Sequence, residues 1–150
     1  MKNIIVNFSP HYRQATVTLA LLLAACCAVQ FSRTHAETVA RPPRMKVGII
    51  IHSGDAETVW NAFRFANFAL NEGDQVKVFL VGKGVECESL DNDKFKVAEM
   101  MRTFVKQGGQ ILACGTCLSF RHSEGSKLCP MSSLQDMYNI VKESDRVLTF

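Results

Sequence analysis

Apolar positions in this chain change period repeatedly, from continuous runs to a spacing of three and four. Met45–His52 (MKVGIIIH) is a nearly unbroken, β-branched run that stops at Ser53-Gly54-Asp55, the pattern of a strand buried on both faces. Glu57–Asn71 switches to helical spacing, with Val59, Ala62, Phe63, Ala66 and Leu70 on one face, and Glu72-Gly73-Asp74 ends it. Gln75–Val81 (QVKVFLV) predicts a second strand closed by Gly82-Lys83-Gly84. Asp91–Lys106 predicts a second helix, turning Phe95, Ala98, Met101 and Phe104 or Val105 inward and stopping at Gly108-Gly109. Gln110–Ala113 (QILA) is a short third strand that runs straight into Cys114, with a helical turn from Gly115 onwards and a short helix around Leu118–Arg121. A loop follows, then a helix from Ser132 or Ser133 to Lys142, with Ser133 and Asp136 spaced as a capping pair. Asp145–Phe150 (DRVLTF) is the closing strand.

Strands and helices alternating at this spacing imply right-handed βαβ crossovers and a mostly parallel sheet covered on both faces. The expected fold is a small three-layer, doubly wound α/β domain, single, over residues 45–150. On the first helix Trp60, Arg64 and Phe68 recur every four residues beside Phe65, away from the core face. An aromatic stripe of that width predicts a partner surface, and hence a homo-oligomer.

Composition changes the picture at the N-terminus. The chain has 150 residues, 47% of them hydrophobic, and a formal charge of +3. Three of its 17 basic residues (Lys2, Arg13, Arg33) lie in residues 1–36, which hold no Asp or Glu, so the rest of the chain balances at 14 basic and 14 acidic side chains. A balanced domain has no cationic field for a phosphate backbone, so nucleic acid is not expected as a partner. Lys2 and Arg13 precede the apolar run Ala15–Val29, broken only by Thr16 and Thr18. That run is short for a membrane span, which needs ~20 apolar residues, and it matches the h-region of an export signal. Thr34-His35-Ala36 offers small residues for cleavage after residue 36. The alternative is Leu23-Ala24-Ala25-Cys26, which resembles a lipobox and would make Cys26 a lipid anchor. Either way the expected location is periplasmic or otherwise exported. Residues 37–44 (ETVARPPR) read as an extended polar linker.

In parallel sheets the loops past the carboxyl ends of strands carry the sites. Three such loops hold reactive or polar residues: His52–Asp55, Gly82–Cys87 and Cys114-Gly115-Thr116-Cys117. The third is the most informative, because a C-x-x-C directly after a strand in a βαβ setting is a thiol-chemistry signal. A helix start there predicts a Cys114 thiol more acidic than usual. Cys87 reads as a small buried hydrophobe and His122 as an exposed loop residue. Arg121 falls on the helical face of Cys117 if that turn is helical, there either to hold an anionic sulfur species or simply to be solvated, and His52 follows a strand end, either facing the site or a plain polar loop residue. Cys129 with Cys114, Cys117 and His122 would supply a zinc-compatible ligand mixture. With one C-x-x-C and not two, no metal is assigned, and no cofactor is called for. Gly82-Lys83-Gly84 lacks the spacing of a phosphate loop.

Together these segments resemble the DsrE/DsrF-like sulfur-relay family over Met45–Phe150. The resemblance rests on Met45–Ser53 and its aromatic helix, on Val78–Glu86 (VFLVGKGVE), on Ile111–Cys114 (ILAC), and on the closing Asp145–Phe150. It implies a flavodoxin-like α/β domain that forms oligomers, and a cysteine at the position of Cys114 that takes up sulfane sulfur as a persulfide. On this reading the chain is an exported sulfur carrier of sulfurtransferase type. Its partners would be sulfur donor and acceptor proteins or small thiols, with Cys117 as a resolving thiol and Cys129, Arg121 and His52 in support. Two rival readings are a thiol-disulfide redox protein cycling Cys114 and Cys117, and a non-catalytic oligomerising module.

Overall fold

The computed structural model describes residues 44–150; the export segment 1–36, with Cys26, and all of the linker but Arg44 lie outside them. Five strands form one sheet, β1 (Lys46–Ile51), β2 (Gln75–Leu80), β3 (Gln110–Cys114), β4 (Met131–Ser132) and β5 (Arg146–Thr149). Their order is β4-β3-β2-β1-β5, and every ladder is parallel. All strand carboxyl ends therefore point to one edge of the domain.

Four α-helices connect the strands: α1 (Ala56–Glu72), α2 (Val97–Lys106), α3 (Gly115–Ser119) and α4 (Leu134–Glu143). Alternation along the strands divides the core in two. Val47, Ile49, Ile51, Val76, Val78 and Leu80 face α1 and α2, where Phe63, Met101 and Phe104 complete the larger cluster. Ile50 and Phe79 face the other way and meet Ile140 of α4. Of the alternatives Phe104 and Val105, Phe104 is the one turned inward, fully buried and edge-on to Phe63 at 5.9 Å. Asn67, buried between α1 and α2, donates its amide to the Phe63 and Met100 carbonyls.

Local chemistry sets the element ends. Asp55 caps α1, accepting the Thr58 N–H at 2.8 Å, and Gly73 ends it at φ 97°. Ser133 and Asp136 form the expected capping box of α4. The second helix begins later than its apolar period predicts, at Val97 and not Asp91. Asn92 Oδ1 accepts the Lys94 and Phe95 N–H groups and Asp91 Oδ1 accepts that of Ala98, so these side chains hold residues 91–96 in turns ahead of the helix.

Two elements have no counterpart in the sequence pattern. Residues Gly82–Ser89 form a 3-10 segment across the end of the sheet, and the two-residue β4 pairs Met131 with Ala113 and Ser132 with Cys114. β4 is too short to show a period, and the 3-10 segment (GKGVECES) has too few apolar residues to carry one. The aromatic stripe is partly covered within the chain: Trp60 packs on Phe95 at 5.8 Å and carries the Arg64 guanidinium at 5.4 Å. Phe65 and Phe68 remain exposed.

Candidate functional site

Cys114 is both the last residue of β3 and the N-cap of α3. Side chains on β3 alternate, so Ile111 and Ala113 enter the large core while Leu112 and Cys114 turn to the α4 side. There Cys114 sits half-buried against the cluster of Ile50, Phe79 and Ile140. Its Sγ accepts the backbone N–H of Cys117 at 3.3 Å. Cys117, one turn later and also half-buried, keeps its thiol within reach of that of Cys114, and its Sγ accepts the Gly82 N–H at 3.2 Å.

The 3-10 segment is the wall that makes this second contact. Gly82 leaves β2 at φ 58°, a left-handed conformation suited to glycine. Gly84 lies so close to β1 that a Cβ there would stand 2.2 Å from the Ile51 carbonyl oxygen. The glycines read in the sequence as a plain turn are thus what lets the Gly82 N–H reach Cys117.

The expected acidification of Cys114 does not occur. Burial pushes its thiol above the ordinary value, and interaction with the Cys117 thiol acts in the same direction. The N–H groups of Cys117 and Thr116 pull it down, but less. The physical reason is the length of α3: five residues supply two N–H groups and a single turn of dipole, too little to offset desolvation.

The supporting residues do not all gather at this turn. Arg121 does come back to this turn, its Nη1 donating to the Cys117 carbonyl at 3.0 Å. Its Nε stands 3.2 Å from Glu86 Oε2, so the guanidinium pairs with the 3-10 segment and not with a sulfur. His52 lies exposed at the carboxyl end of β1, with β2 between it and β3. His122 is exposed at φ 51°. Cys129 is buried in the α1/α2-side core, where its thiol meets that of Cys87. Cys87 is fully buried, as its apolar context predicts. The mixture of Cys114, Cys117, Cys129 and His122 does not assemble, and among the described residues no three His, Cys, Asp or Glu side chains converge on a metal position.

The sequence places Gly82–Cys87 among the candidate site loops but assigns no role to the Gly82 N–H or to Glu86. The one available signal was Gly82-Lys83-Gly84 after a strand, which marks a close backbone approach as readily as a turn. The hollows of about 560 and 570 Å³ lie along the helices, between α1 and α2 and on the outer face of α4. The strand-end site itself is two thiols one turn apart, each with a backbone N–H on its sulfur. Such a pair has the chemistry to carry sulfur on one thiol and to close as a disulfide through the other.

Known proteins are similar to this chain in sequence and in fold. Residues 45–150 match the model of the DsrE/DsrF-like family. An uncharacterised protein of Methanopyrus kandleri is 36% identical over 103 residues, covering 63% of this chain and 83% of its own length. One from Methanocaldococcus jannaschii is 33% identical over 117 residues, covering 71% of this chain and all of its own. The crystal structure of the ychN protein from E. coli superposes with a TM-score of 0.61 at 21% identity, over 71% of this chain and 100% of that one. With its parallel sheet, its strand-end cysteine and a family match spanning the whole described domain, the chain belongs to the DsrE/DsrF-like family.

Proposed function

We propose that this protein is an exported sulfur carrier that holds sulfane sulfur as a persulfide on Cys114 and passes it to a partner. The observation that carries the reading is the paired placement of Cys114 and Cys117 at the end of β3, in a family associated with sulfur relay. In loading, the Cys114 thiolate attacks the outer sulfur of a donor persulfide, R–S–SH. Cys114–S–SH forms and the donor leaves as R–SH. An acceptor nucleophile then takes the outer sulfur. Alternatively Cys117 attacks Cys114 Sγ, expelling hydrosulfide and leaving the Cys114–Cys117 disulfide. Donor and acceptor are sulfur-transfer proteins or small thiols. Leu134, Tyr138 and Val141, exposed on α4 on Cys114's side of the sheet, provide an apolar landing surface for them.

Export rests on the positive N-terminus and apolar run of residues 1–36. Intact mass of protein from an envelope fraction is expected to show a chain starting at Glu37, whereas an acylated Cys26 would establish the lipid-anchored form. Self-association rests on exposed Phe65 and Phe68, which flank the groove between α1 and α2, and light scattering is expected to show an oligomer at micromolar concentration.

The decisive experiment is peptide mass spectrometry after treatment with polysulfide. The peptide containing Cys114 is expected to gain one sulfur atom. Turnover of a disulfide substrate without that gain would favour the thiol-disulfide reading, which the same Cys114–Cys117 contact supports. Neither result would leave a non-catalytic module.

A further inference from the structure

A second pair of thiols lies apart from this site. Cys87, on the 3-10 segment, and Cys129, just before β4, meet in the core on the α1/α2 face of the sheet, whereas Cys114 is on the α4 face. Cys87 is fully buried and Cys129 only 3% exposed. Neither is in a disulfide, and the Cys87 S–H points to Met101 Sδ at 3.6 Å.

The segments carrying the two thiols are already fastened together. Ser126 Oγ donates to Glu88 Oε2 at 2.5 Å, and Arg121 Nε pairs with Glu86 at 3.2 Å. Around Cys129 the loop is closed on itself: its N–H donates to Ser126 Oγ at 3.0 Å and its carbonyl accepts the Ser126 N–H at 3.1 Å. Two buried thiols in contact, on segments pinned by flanking bonds, have lost most of the freedom that a cross-link would cost. A cleft of about 260 Å³ opens between these segments, and Cys129 lies in its lining together with Glu86, Arg121 and Ser126. Cys87 is not among the residues that face it.

We infer that Cys87 and Cys129 form a second redox site, a dithiol that a small disulfide such as oxidised glutathione converts to an intrachain disulfide. Cys129 is the thiol of entry, because it lines the cleft. Its thiolate attacks one sulfur of the oxidant, R–S–S–R, giving a mixed disulfide and releasing one R–SH. Cys87 then swings from Met101, attacks Cys129 Sγ and releases the second R–SH. The protein loses two hydrogens, both thiol protons end on the departing thiols, and the oxidant is reduced by two electrons. Contact with the Cys129 thiol and burial hold the Cys87 thiol far above its usual range, so closure accelerates as pH rises. Once closed, the bond fixes the 3-10 segment to the loop before β4, and with it the Gly82 N–H that Cys117 uses.

The test uses the full chain and its Cys114→Ser/Cys117→Ser double variant, incubated with oxidised glutathione at about pH 8. Both are then alkylated under denaturing conditions and mapped as unreduced peptides. A Cys87–Cys129 linked peptide is expected in both proteins. Its formation should raise Tm by several degrees, an increase abolished by reductant or by Cys129→Ala. Recovery of both residues as alkylated thiols, glutathione retained on Cys129 without closure, or linkage of either to Cys114 or Cys117 would overturn the inference. Sulfur loading at Cys114 is read separately, by polysulfide treatment of the reduced protein, so the two readings fail independently.

Discussion

Cys117 contributes to Cys114 through its backbone and to Gly82 through its sulfur. Its N–H donates to Cys114 Sγ at 3.3 Å, while its own Sγ accepts the Gly82 N–H at 3.2 Å. A single residue thus ties the end of β3 to the 3-10 segment that follows β2. The two thiols are neighbours with different environments. Cys114 borders an apolar cluster, and Cys117 is held by a backbone donor.

Because burial holds Cys114 above the ordinary thiol range, only a small fraction is thiolate at neutral pH. The rate of its alkylation is expected to rise about tenfold per pH unit between roughly pH 6 and 8, since the thiolate is the reacting form. Timed iodoacetamide labelling with peptide mass spectrometry measures this directly. A rate already on its plateau at pH 7 would show a depressed pKa instead.

Cys114→Ser is expected to abolish persulfide loading and to leave Tm within about 2 °C, because the hydroxyl can still accept the Cys117 N–H. Cys117→Ser should retain loading yet lose the hydrosulfide release that accompanies disulfide closure. Sulfide release after polysulfide loading, followed with and without a small-thiol acceptor, distinguishes the two variants.

Gly84→Ala probes the wall of the site. A Cβ at this position would meet the Ile51 carbonyl oxygen at 2.2 Å and its carbon at 2.9 Å, both backbone atoms of a buried strand. The 3-10 segment has to lift away to admit it, at about 3 kcal/mol. Urea unfolding should show that loss, with faster alkylation of Cys117 as its Gly82 contact opens. Normal stability in the variant would mean that the segment moves freely.

Asp136 gives α4 a pH-dependent start. Its carboxyl accepts hydrogen bonds from the Ser133 hydroxyl and Ser132 hydroxyl at 2.7 Å each and from the Ser133 N–H at 3.0 Å. These lower its pKa from 3.8 to about 2. A depressed folded-state pKa stabilises the fold fully above the unfolded value and loses that contribution as pH falls through the folded one. Asp136→Ala should therefore lower the urea midpoint at pH 7, with the gap to the parent narrowing from about pH 4 toward pH 2. A constant gap across that range would exclude the capping carboxylate as its source.

The order of strands and helices was legible in the amino-acid sequence because burial on a sheet or one helix face imposes a period, and Met45–His52 and Glu57–Asn71 carry theirs openly. The capping box at Ser133 and Asp136, and Cys114 at a strand end, were legible for a related reason: each depends on residues within one or two turns. Periodicity is silent where an element is as short as β4, or where Asp91 and Asn92 bond to backbone N–H groups and delay a helix. It is equally silent about contacts between distant segments. That Cys129 meets Cys87 and not Cys114 follows from which face of the sheet each segment crosses. The direction of the Cys114 pKa shift was also decided in three dimensions, because it is a contest between the N–H groups of a five-residue helix, which the local sequence supplies, and desolvation by an apolar cluster drawn from β1, β2 and α4. The local chain offered the thiolate its donors; packing from the rest of the fold outweighed them.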